Sequence, residues 1–222
     1  MTKLSKANLG LNDYFEMLKI NPILLFLFFL LIRATISAQF DYNGMKTLNI
    51  NRNKSMDPYF IGITNSVTPV MCALPIASYT AWIIKKDKKY LQNTVMQLES
   101  MAINGVLTLT LKELVRRPRP FITYSDVEKV VPAGSMSFPS GHTSTAFNTA
   151  TALTLTCPKW YLIVPAYTWA SLAGYSRIHL GVHYPSDVLA GAFIGSASAI
   201  AGHYLNNWIY NKKFDKSTSK KL

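Results

Sequence analysis

The sequence predicts an all-α fold, a polytopic membrane bundle of about six helices. The first supporting observation is the composition: 49% of the residues are hydrophobic and only 15% are charged, whereas an average soluble protein carries about 25% charged residues. The second is the length, because 222 residues accommodate about six helices of about 20 residues each within one domain. The third is the recurrence of apolar stretches separated by short basic segments.

The first apolar segment has two interpretations. Three lysines precede the apolar residues 23–32, and small residues end the segment at Ala38. A basic start, an apolar centre and a small-residue end are typical of a signal peptide, here residues 1–38. The alternative is a first transmembrane helix over about residues 20–40, so cleavage would reduce the bundle to five helices. Under both interpretations the chain emerges on the outer side of the membrane.

Five further apolar stretches predict the remaining helices. They are rich in small and polar residues, which suits helices that pack against one another. They cover approximately residues 59–84, 91–111, 140–157, 160–175 and 188–209. We therefore expect a helical membrane domain over residues 39–211, followed by a basic cytoplasmic tail over residues 212–222.

The chain has a net charge of +12, and the positions of its cations indicate on which side of the membrane the loops lie. Such a charge could indicate nucleic-acid binding, but the cations lie between apolar stretches, so we expect a lipid bilayer as the partner and no nucleic acid. Short loops rich in Lys and Arg stay in the cytoplasm. The lysines of residues 85–89 and of the tail therefore predict the cytoplasmic side. Residues 112–139 and 176–185 then lie on the outer side.

The first of three notable clusters covers residues 112–120. Its prolines cannot continue a helix, so we expect Lys112 in the last helical turn and Arg119 in an extended exit. Arg binds phosphate oxygens as a bidentate fork, and Lys contributes a compact charge. Considered alone, the cluster also fits basic side chains at a membrane boundary that extend towards water. We assign Arg116 and Arg117 to that role.

The second cluster, residues 138–143, precedes an apolar helix. Ser140 is a typical N-cap residue, and Gly141 permits close approach of the backbone to a ligand. The free N–H groups and the dipole of a helix start favour anions. His142 would lie within reach of a bound anion. The alternative is a capped helix with an incidental histidine.

The third cluster, residues 176–187, has the most specific pattern. His183 and Asp187 are four residues apart, and Pro185 favours helix initiation between them, so their side chains can meet. A carboxylate bound to one imidazole nitrogen fixes the tautomer and directs the other nitrogen as a nucleophile. Arg177 adds a third cation to the set.

Three other ionisable residues in apolar segments are predicted to be structural. His179 is expected to be a neighbour of the site, and His203 a packed or hydrogen-bonded side chain. Glu99 should face the bundle interior or a polar cavity, because an ionisable group at that depth avoids lipid. Its expected role is that of a packed hydrogen-bond partner, and a proton relay is the alternative.

These clusters resemble the three signature motifs of the type 2 phosphatidic acid phosphatase superfamily. The motifs are Lys-x6-Arg-Pro, Pro-Ser-Gly-His and Ser-Arg-x5-His-x3-Asp, and every position is present. The surrounding apolar segments resemble the six-helix membrane lipid phosphatases of that superfamily. The resemblance implies hydrolysis of a phosphomonoester or pyrophosphate of a membrane lipid, with no metal and no other cofactor.

The resemblance also implies a role for each motif residue. His183 would attack phosphorus to form a phosphohistidine, oriented by Asp187, and His142 would protonate the leaving oxygen. Water would then release inorganic phosphate. The residues implied to bind the phosphate are Lys112, Arg119, Ser140, Gly141 and Arg177.

Three other functions share parts of this pattern. A soluble secreted acid phosphatase resembles the chain in the same motifs and is also made with a signal peptide. A vanadate-dependent haloperoxidase shares the anion pocket, although those proteins are usually much longer. A non-enzymatic protein that binds or transports a phosphorylated lipid would lack phosphate release.

The expected location is the cytoplasmic membrane, with the site facing the periplasm or the outside. The basic outer face favours a substrate with more than one phosphate, such as lipid A or undecaprenyl pyrophosphate. Phosphatidylglycerol phosphate and phosphatidic acid are the alternatives. The sequence does not indicate an oligomeric state.

Overall fold

The computed structural model describes residues 38–219, except residue 135 and the side chains of residues 38 and 211–219. The predicted signal peptide or first transmembrane helix, residues 1–38, therefore lies outside the described residues apart from its last residue. The described part begins with helix α1, Ala38–Met45. A π-helical turn, Lys46–Ile50, and a 3-10 turn, Lys54–Met56, connect α1 to the main bundle.

Five long helices form the bundle of the described part, and each matches one of the five predicted apolar stretches, with ends that differ by up to ten residues. A short helix, α4, Pro120–Thr123, lies in the connection between α3 and α5. The all-α prediction is confirmed. The last long helix continues beyond residue 211, so the predicted start of the tail lies inside it. The long helices are α2, Asp57–Lys85; α3, Lys88–Val115; α5, Gly141–Thr156; α6, Trp160–His179; and α7, Pro185–Ser219.

The ends of these helices follow the local sequence rules. Lys112 lies in the last turn of α3. Arg119 has extended backbone angles, φ −79° and ψ 157°, as its proline neighbours require. Ser140 is the N-cap of α5 and accepts a hydrogen bond from the Thr143 N–H at 3.4 Å. Because α7 begins at Pro185, all three clusters lie at helix ends.

Glycines on α7 allow the backbones of this helix and its neighbours to approach closely. A Cβ atom at Gly195 would lie 2.0 Å from the Ser144 carbonyl oxygen of α5, and one at Gly202 would lie 2.8 Å from the Ser100 Cβ of α3. Small residues at helix contacts are typical of membrane bundles. These contacts bring α7 against both α3 and α5, the helices that carry the first two clusters.

The outer surface of the bundle is apolar, whereas its interior is partly polar. Exposed side chains include Ile84 and Leu114, each 74% exposed. The inward face of α3 instead buries Ser100, Asn104 and Thr108. Two helical segments, Lys54–Lys85 and Pro185–Tyr210, are long and apolar enough to cross a membrane by length and composition. An apolar outer surface around a partly polar interior suits a bundle whose outer face contacts lipid.

Glu99 on α3 occupies the predicted inward position. Its Oε2 atom is buried and has no hydrogen-bond partner among the described residues. An ionisable group in this position avoids the lipid-facing surface of the helix.

Replacing Gly195 with Ala tests the close packing of α7. We expect Gly195→Ala to destabilise the fold by about 2 kcal/mol or more, because the new methyl group would overlap a backbone oxygen that cannot easily move. Gly62→Ala is the matched control, since a Cβ at Gly62 meets nothing within 4 Å. Thermal unfolding in detergent measures both. An unchanged Tm for Gly195→Ala would contradict the packing described.

Candidate active site

Asp187 lies at the centre of the site, in the first turn of α7, and is fully buried. Its Oδ2 atom accepts a hydrogen bond from the Tyr184 N–H at 3.0 Å and another from the Ser137 hydroxyl. The same oxygen lies 3.4 Å from Nδ1 of His183. The Asp187 carbonyl oxygen accepts the Ser140 N–H at 3.0 Å. Asp187 therefore joins the second cluster to the third.

His183 is held on both sides of its ring. Asp187 faces Nδ1, so the neutral imidazole carries its proton there and has a lone pair on Nε2. Nε2 lies 3.2 Å from Nη1 of Arg119. Burial lowers the pKa of His183 to about 3, and the nearby charges of Arg119 and Arg177 act in the same direction while Asp187 opposes them. The ring is therefore neutral at pH 7, which the predicted role of a nucleophile would require.

Two of the predicted phosphate-binding cations bind the loop between α4 and α5. Arg119 donates from Nε to the Gly134 carbonyl oxygen at 3.0 Å and from Nη1 to the Val182 carbonyl oxygen at 2.7 Å. Lys112 donates from Nζ to the Met136 carbonyl oxygen at 2.7 Å. These bonds hold both cations close to the end of α3, and Arg119 lies directly beside the imidazole ring of His183.

Arg177, the third predicted cation, is 4% exposed at the end of α6. Its Nη1 donates to the Thr64 hydroxyl of α2 at 2.7 Å. Its Nε is buried and has no hydrogen-bond partner among the described residues. The Arg177 carbonyl oxygen accepts the His183 N–H at 3.2 Å. The carbonyl group of Arg177 therefore helps to fix the loop that carries His183. The Nε–H group of its guanidinium can donate a hydrogen bond to a ligand.

A cavity of about 340 Å³ lies between α2, α3 and α5. Its polar wall includes Lys112, Gly141 and His142, and its apolar wall includes Val67 and Leu109. The structure thus brings His142 beside a cation of the first cluster and next to an apolar space. Such a cavity can hold a group that is anionic at one end and apolar at the other.

Arg117 differs from its predicted role. Its Nη1 lies 2.8 Å from Asp187 Oδ1, its Nη2 lies 2.6 Å from Asp41 Oδ2, and its guanidinium stacks 3.7 Å from the centre of the Tyr184 ring. The membrane-boundary interpretation was wrong for Arg117, because its side chain is only 14% exposed between two buried carboxylates. Burial by itself would lower the pKa of Arg117, but the carboxylates of Asp187 and Asp41 raise it by a larger amount. The pKa of Arg117 therefore lies above its ordinary value. Arg116 is exposed, as that interpretation expects.

Sequence reasoning missed two other residues around Asp187. Ser137 lies just before the second cluster, where a hydroxyl close to a candidate helix start was the one available signal. Asp41 lies in α1, far from every cluster in the sequence, and no pattern pointed to it. Both act through contacts that only the folded chain creates.

The other two histidines have structural contacts, in agreement with the prediction. His179 Nε2 lies 2.8 Å from Asp57 Oδ1, and the guanidinium of Arg52 pairs with the same carboxylate. His203 Nε2 lies 3.0 Å from the side-chain nitrogen of Asn207, one turn further along α7.

Together, the fold and the site define a helical membrane protein in which a histidine–carboxylate pair lies beside basic side chains suited to a phosphate group. The profile of the PAP2 superfamily matches residues 93–211, a range that contains all three clusters. The chain belongs to the PAP2 superfamily, which confirms the resemblance seen in the motifs.

The chain is also similar to proteins with assigned activities. An undecaprenyl-diphosphatase of Sulfolobus acidocaldarius is 28% identical over 184 residues, which cover 82% of this chain and 86% of the relative. A lipid A 4'-phosphatase of Bacteroides thetaiotaomicron is 35% identical over 91 residues, which cover 38% of this chain and 40% of the relative. The first similarity extends well beyond the motifs.

Two solved structures share the fold. The crystal structure of Aquifex aeolicus LpxE has a TM-score of 0.65 and 30% identity, with 74% of this chain and 94% of that chain covered. The transmembrane PAP2-type phosphatidylglycerolphosphate phosphatase of Bacillus subtilis has a TM-score of 0.66 and 28% identity, with 85% and 96% covered. These similarities confirm the predicted transmembrane helical bundle.

The burial of His183 predicts its behaviour in acid. We expect the ring to remain neutral near pH 5, because its pKa is about 3 in the folded protein against an ordinary 6.5. The unfolded chain binds the proton first, so stability should fall as the pH falls from 6.5 towards 3. Nitrogen-15 NMR of histidine-labelled protein measures the charge state, and the His183→Ala variant assigns the signal. An imidazolium signal from His183 near pH 5 would be incompatible with this site.

Proposed function

We propose that this protein hydrolyses the phosphate ester or pyrophosphate of a membrane lipid through a phosphohistidine at His183. The observation that carries the proposal is the position of the His183 ring. Nδ1 faces Asp187 at 3.4 Å, while Nε2 lies 3.2 Å from the Arg119 guanidinium. A phosphate oxygen bound to Arg119 would bring phosphorus next to the nucleophilic nitrogen.

The first step transfers the phosphoryl group to the enzyme. Nε2 of His183 forms a bond to phosphorus as the bond from phosphorus to the leaving oxygen breaks. His142, which takes up a proton when the anionic phosphate binds beside it, gives that proton to the leaving oxygen. The equatorial phosphate oxygens gain stabilisation from fixed positive groups, which cost no reorganisation during the reaction. Those groups are Lys112, Arg119, Arg177 and the start of α5 at Ser140 and Gly141.

The second step returns the enzyme to its original state. Water attacks the phosphorus atom of the phosphohistidine, and His142, now neutral, accepts a proton from that water. The N–P bond breaks, inorganic phosphate leaves, and His183 regains its lone pair on Nε2. Asp187 keeps the Nδ1 proton in place throughout both steps.

The cavity supports a lipid as the leaving group. Lys112 and His142 line its polar wall, and Val67 and Leu109 line its apolar wall. A lipid phosphate has the same division between an anionic head and an apolar chain. The exposed apolar surfaces of α2 and α3 favour a membrane enzyme over the soluble acid phosphatase.

We propose lipid A or undecaprenyl pyrophosphate as the preferred substrate. Three cations surround the site, which suits a headgroup that carries more than one phosphate. Relatives of the chain are named undecaprenyl-diphosphatase and lipid A phosphatase. Phosphatidylglycerol phosphate and phosphatidic acid are the alternatives, the first because another relative is a phosphatidylglycerophosphatase.

The proposed location is the cytoplasmic membrane, with the site on the periplasmic or outer side. The lysine-rich turn between α2 and α3 lies at the start of α3, and Lys112 lies near its end. Because α3 has 28 residues, a length of about 42 Å separates these ends. Basic short loops mark the cytoplasmic side, so the site belongs to the opposite side. The domain boundaries at residues 38 and 211 remain predictions.

A phosphate-release assay tests the proposed function. The purified protein is given lipid A, undecaprenyl pyrophosphate, phosphatidylglycerol phosphate and phosphatidic acid in detergent micelles. We expect release from at least one of them, fastest from the first two. His183→Ala should lower kcat by at least about 1000-fold, because the covalent step is lost. His203→Ala is the matched control and should keep its activity, since His203 contacts Asn207 on its own helix.

Two results would contradict the proposal. One is a folded wild-type protein that releases no phosphate from any of the four lipids. The other is a His183→Ala variant that keeps more than a few per cent of the wild-type rate.

A further inference from the structure

We propose that Asp41 is a positioning residue for phosphoryl transfer, acting on Asp187 through Arg117. This inference rests on the proposed function of the His183–Asp187 pair. Asp41 lies in α1, outside the range 93–211 that matches the PAP2 superfamily. It also follows residue 38, so the chain keeps it under both interpretations of the N-terminal segment.

The contacts of Asp41 all lead to the active site. Its Oδ1 accepts the Ser186 N–H at 3.0 Å, and its Oδ2 accepts the Ser186 hydroxyl at 2.7 Å. Oδ2 also accepts Nη2 of Arg117 at 2.6 Å. The carboxylate is fully buried, and a buried charge costs several kcal/mol unless it is paired and hydrogen-bonded. Ser186 and Arg117 provide these hydrogen bonds. Arg117 also contacts Asp187, and Ser186 precedes Asp187 in the chain.

Arg117 transmits the position of Asp41 to Asp187. Its Nη1 donates to Asp187 Oδ1 at 2.8 Å and to the Ser186 hydroxyl at 2.7 Å, while Nη2 holds Asp41. The planar guanidinium presents these donors in a rigid fork, and the ring of Tyr184 supports one face of it. With Oδ1 of Asp187 fixed in this way, Oδ2 stays directed at Nδ1 of His183.

The charges of this group also suit the reaction. Two carboxylates and one guanidinium have a formal net charge of −1. When Nε2 of His183 bonds to phosphorus while Nδ1 keeps its proton, the imidazole becomes positively charged. A net negative neighbour stabilises that charge, and the effect is stronger in a buried site than in water. Without the Asp41 charge, Asp187 and Arg117 would form a neutral pair beside the phosphohistidine.

The test compares Asp41→Asn with a variant that removes a neighbouring exposed charge. The control is Asp126→Asn, because Asp126 contacts the hydroxyl of Tyr42, the residue next to Asp41, at the exposed surface. Four quantities are measured with the lipid that the wild type hydrolyses fastest: kcat, KM, inhibition by orthovanadate and inhibition by inorganic phosphate. Orthovanadate adopts a five-coordinate geometry similar to the transition state, whereas phosphate resembles the product.

We expect Asp41→Asn to lower kcat by about 10-fold and to change KM by less than about 2-fold. Inhibition by orthovanadate should weaken by about 10-fold, and inhibition by phosphate by much less, because the missing charge acts on the covalent state. Asp126→Asn should match the wild type in all four quantities. If thermal unfolding shows that Asp41→Asn does not fold, Ser186→Ala replaces it. That variant keeps every charge and removes the hydroxyl that bonds to Asp41 and Arg117, so it tests the positioning effect alone. We expect a smaller loss of kcat, with KM changed by less than about 2-fold.

Failure of this inference is distinguishable from failure of the proposed function. A folded Asp41→Asn variant with wild-type kcat would overturn the inference, while phosphate release that depends on His183 would leave the proposed function intact. Equal weakening of inhibition by orthovanadate and phosphate would also overturn it, because it would indicate a role in binding alone. Activity in His183→Ala would remove the proposed function and, with it, this inference.

Discussion

The buried carboxylate of Asp187 is the interaction on which the rest of the site depends. A carboxylate that is fully removed from water needs donors on both oxygens. Ser137, Tyr184 and His183 meet Oδ2, and Arg117 meets Oδ1. These partners come from the loop before α5, the turn before α7 and the exit of α3. Satisfying one charge therefore draws separate parts of the chain into one site, with the imidazole in a single orientation.

The polarity of the bundle gives this site its access to lipid. Apolar side chains cover the outside of α2 and α3, whereas Asn104 and Thr108 of α3 face the cavity that leads to His142. The cations lie at the ends of α3 and α6, where the chain can bind anions without placing charges in the membrane interior. A lipid phosphate can thus keep its chain in an apolar space while its head meets fixed positive charge.

Local rules explain why much of this was predictable from sequence. Long apolar stretches gave the five long helices, prolines placed Arg119 outside α3, and an N-cap pattern placed Ser140 at the start of α5. The four-residue spacing from His183 to Asp187 gave the central pair, because α7 begins between them. Each of these features depends on residues that are close in the chain.

Long-range contacts explain what the sequence did not reveal. Arg117 is 70 residues from Asp187 and 76 from Asp41, so no periodicity or spacing connects the three. Its position beside prolines fitted a membrane boundary equally well.

The central claim is that His183 itself carries the phosphoryl group. The most direct test is rapid quenching of the reaction at alkaline pH with a phosphorus-32-labelled lipid phosphate, followed by peptide mapping. The account predicts label on His183, whereas label on His142, or none during steady turnover, would contradict it.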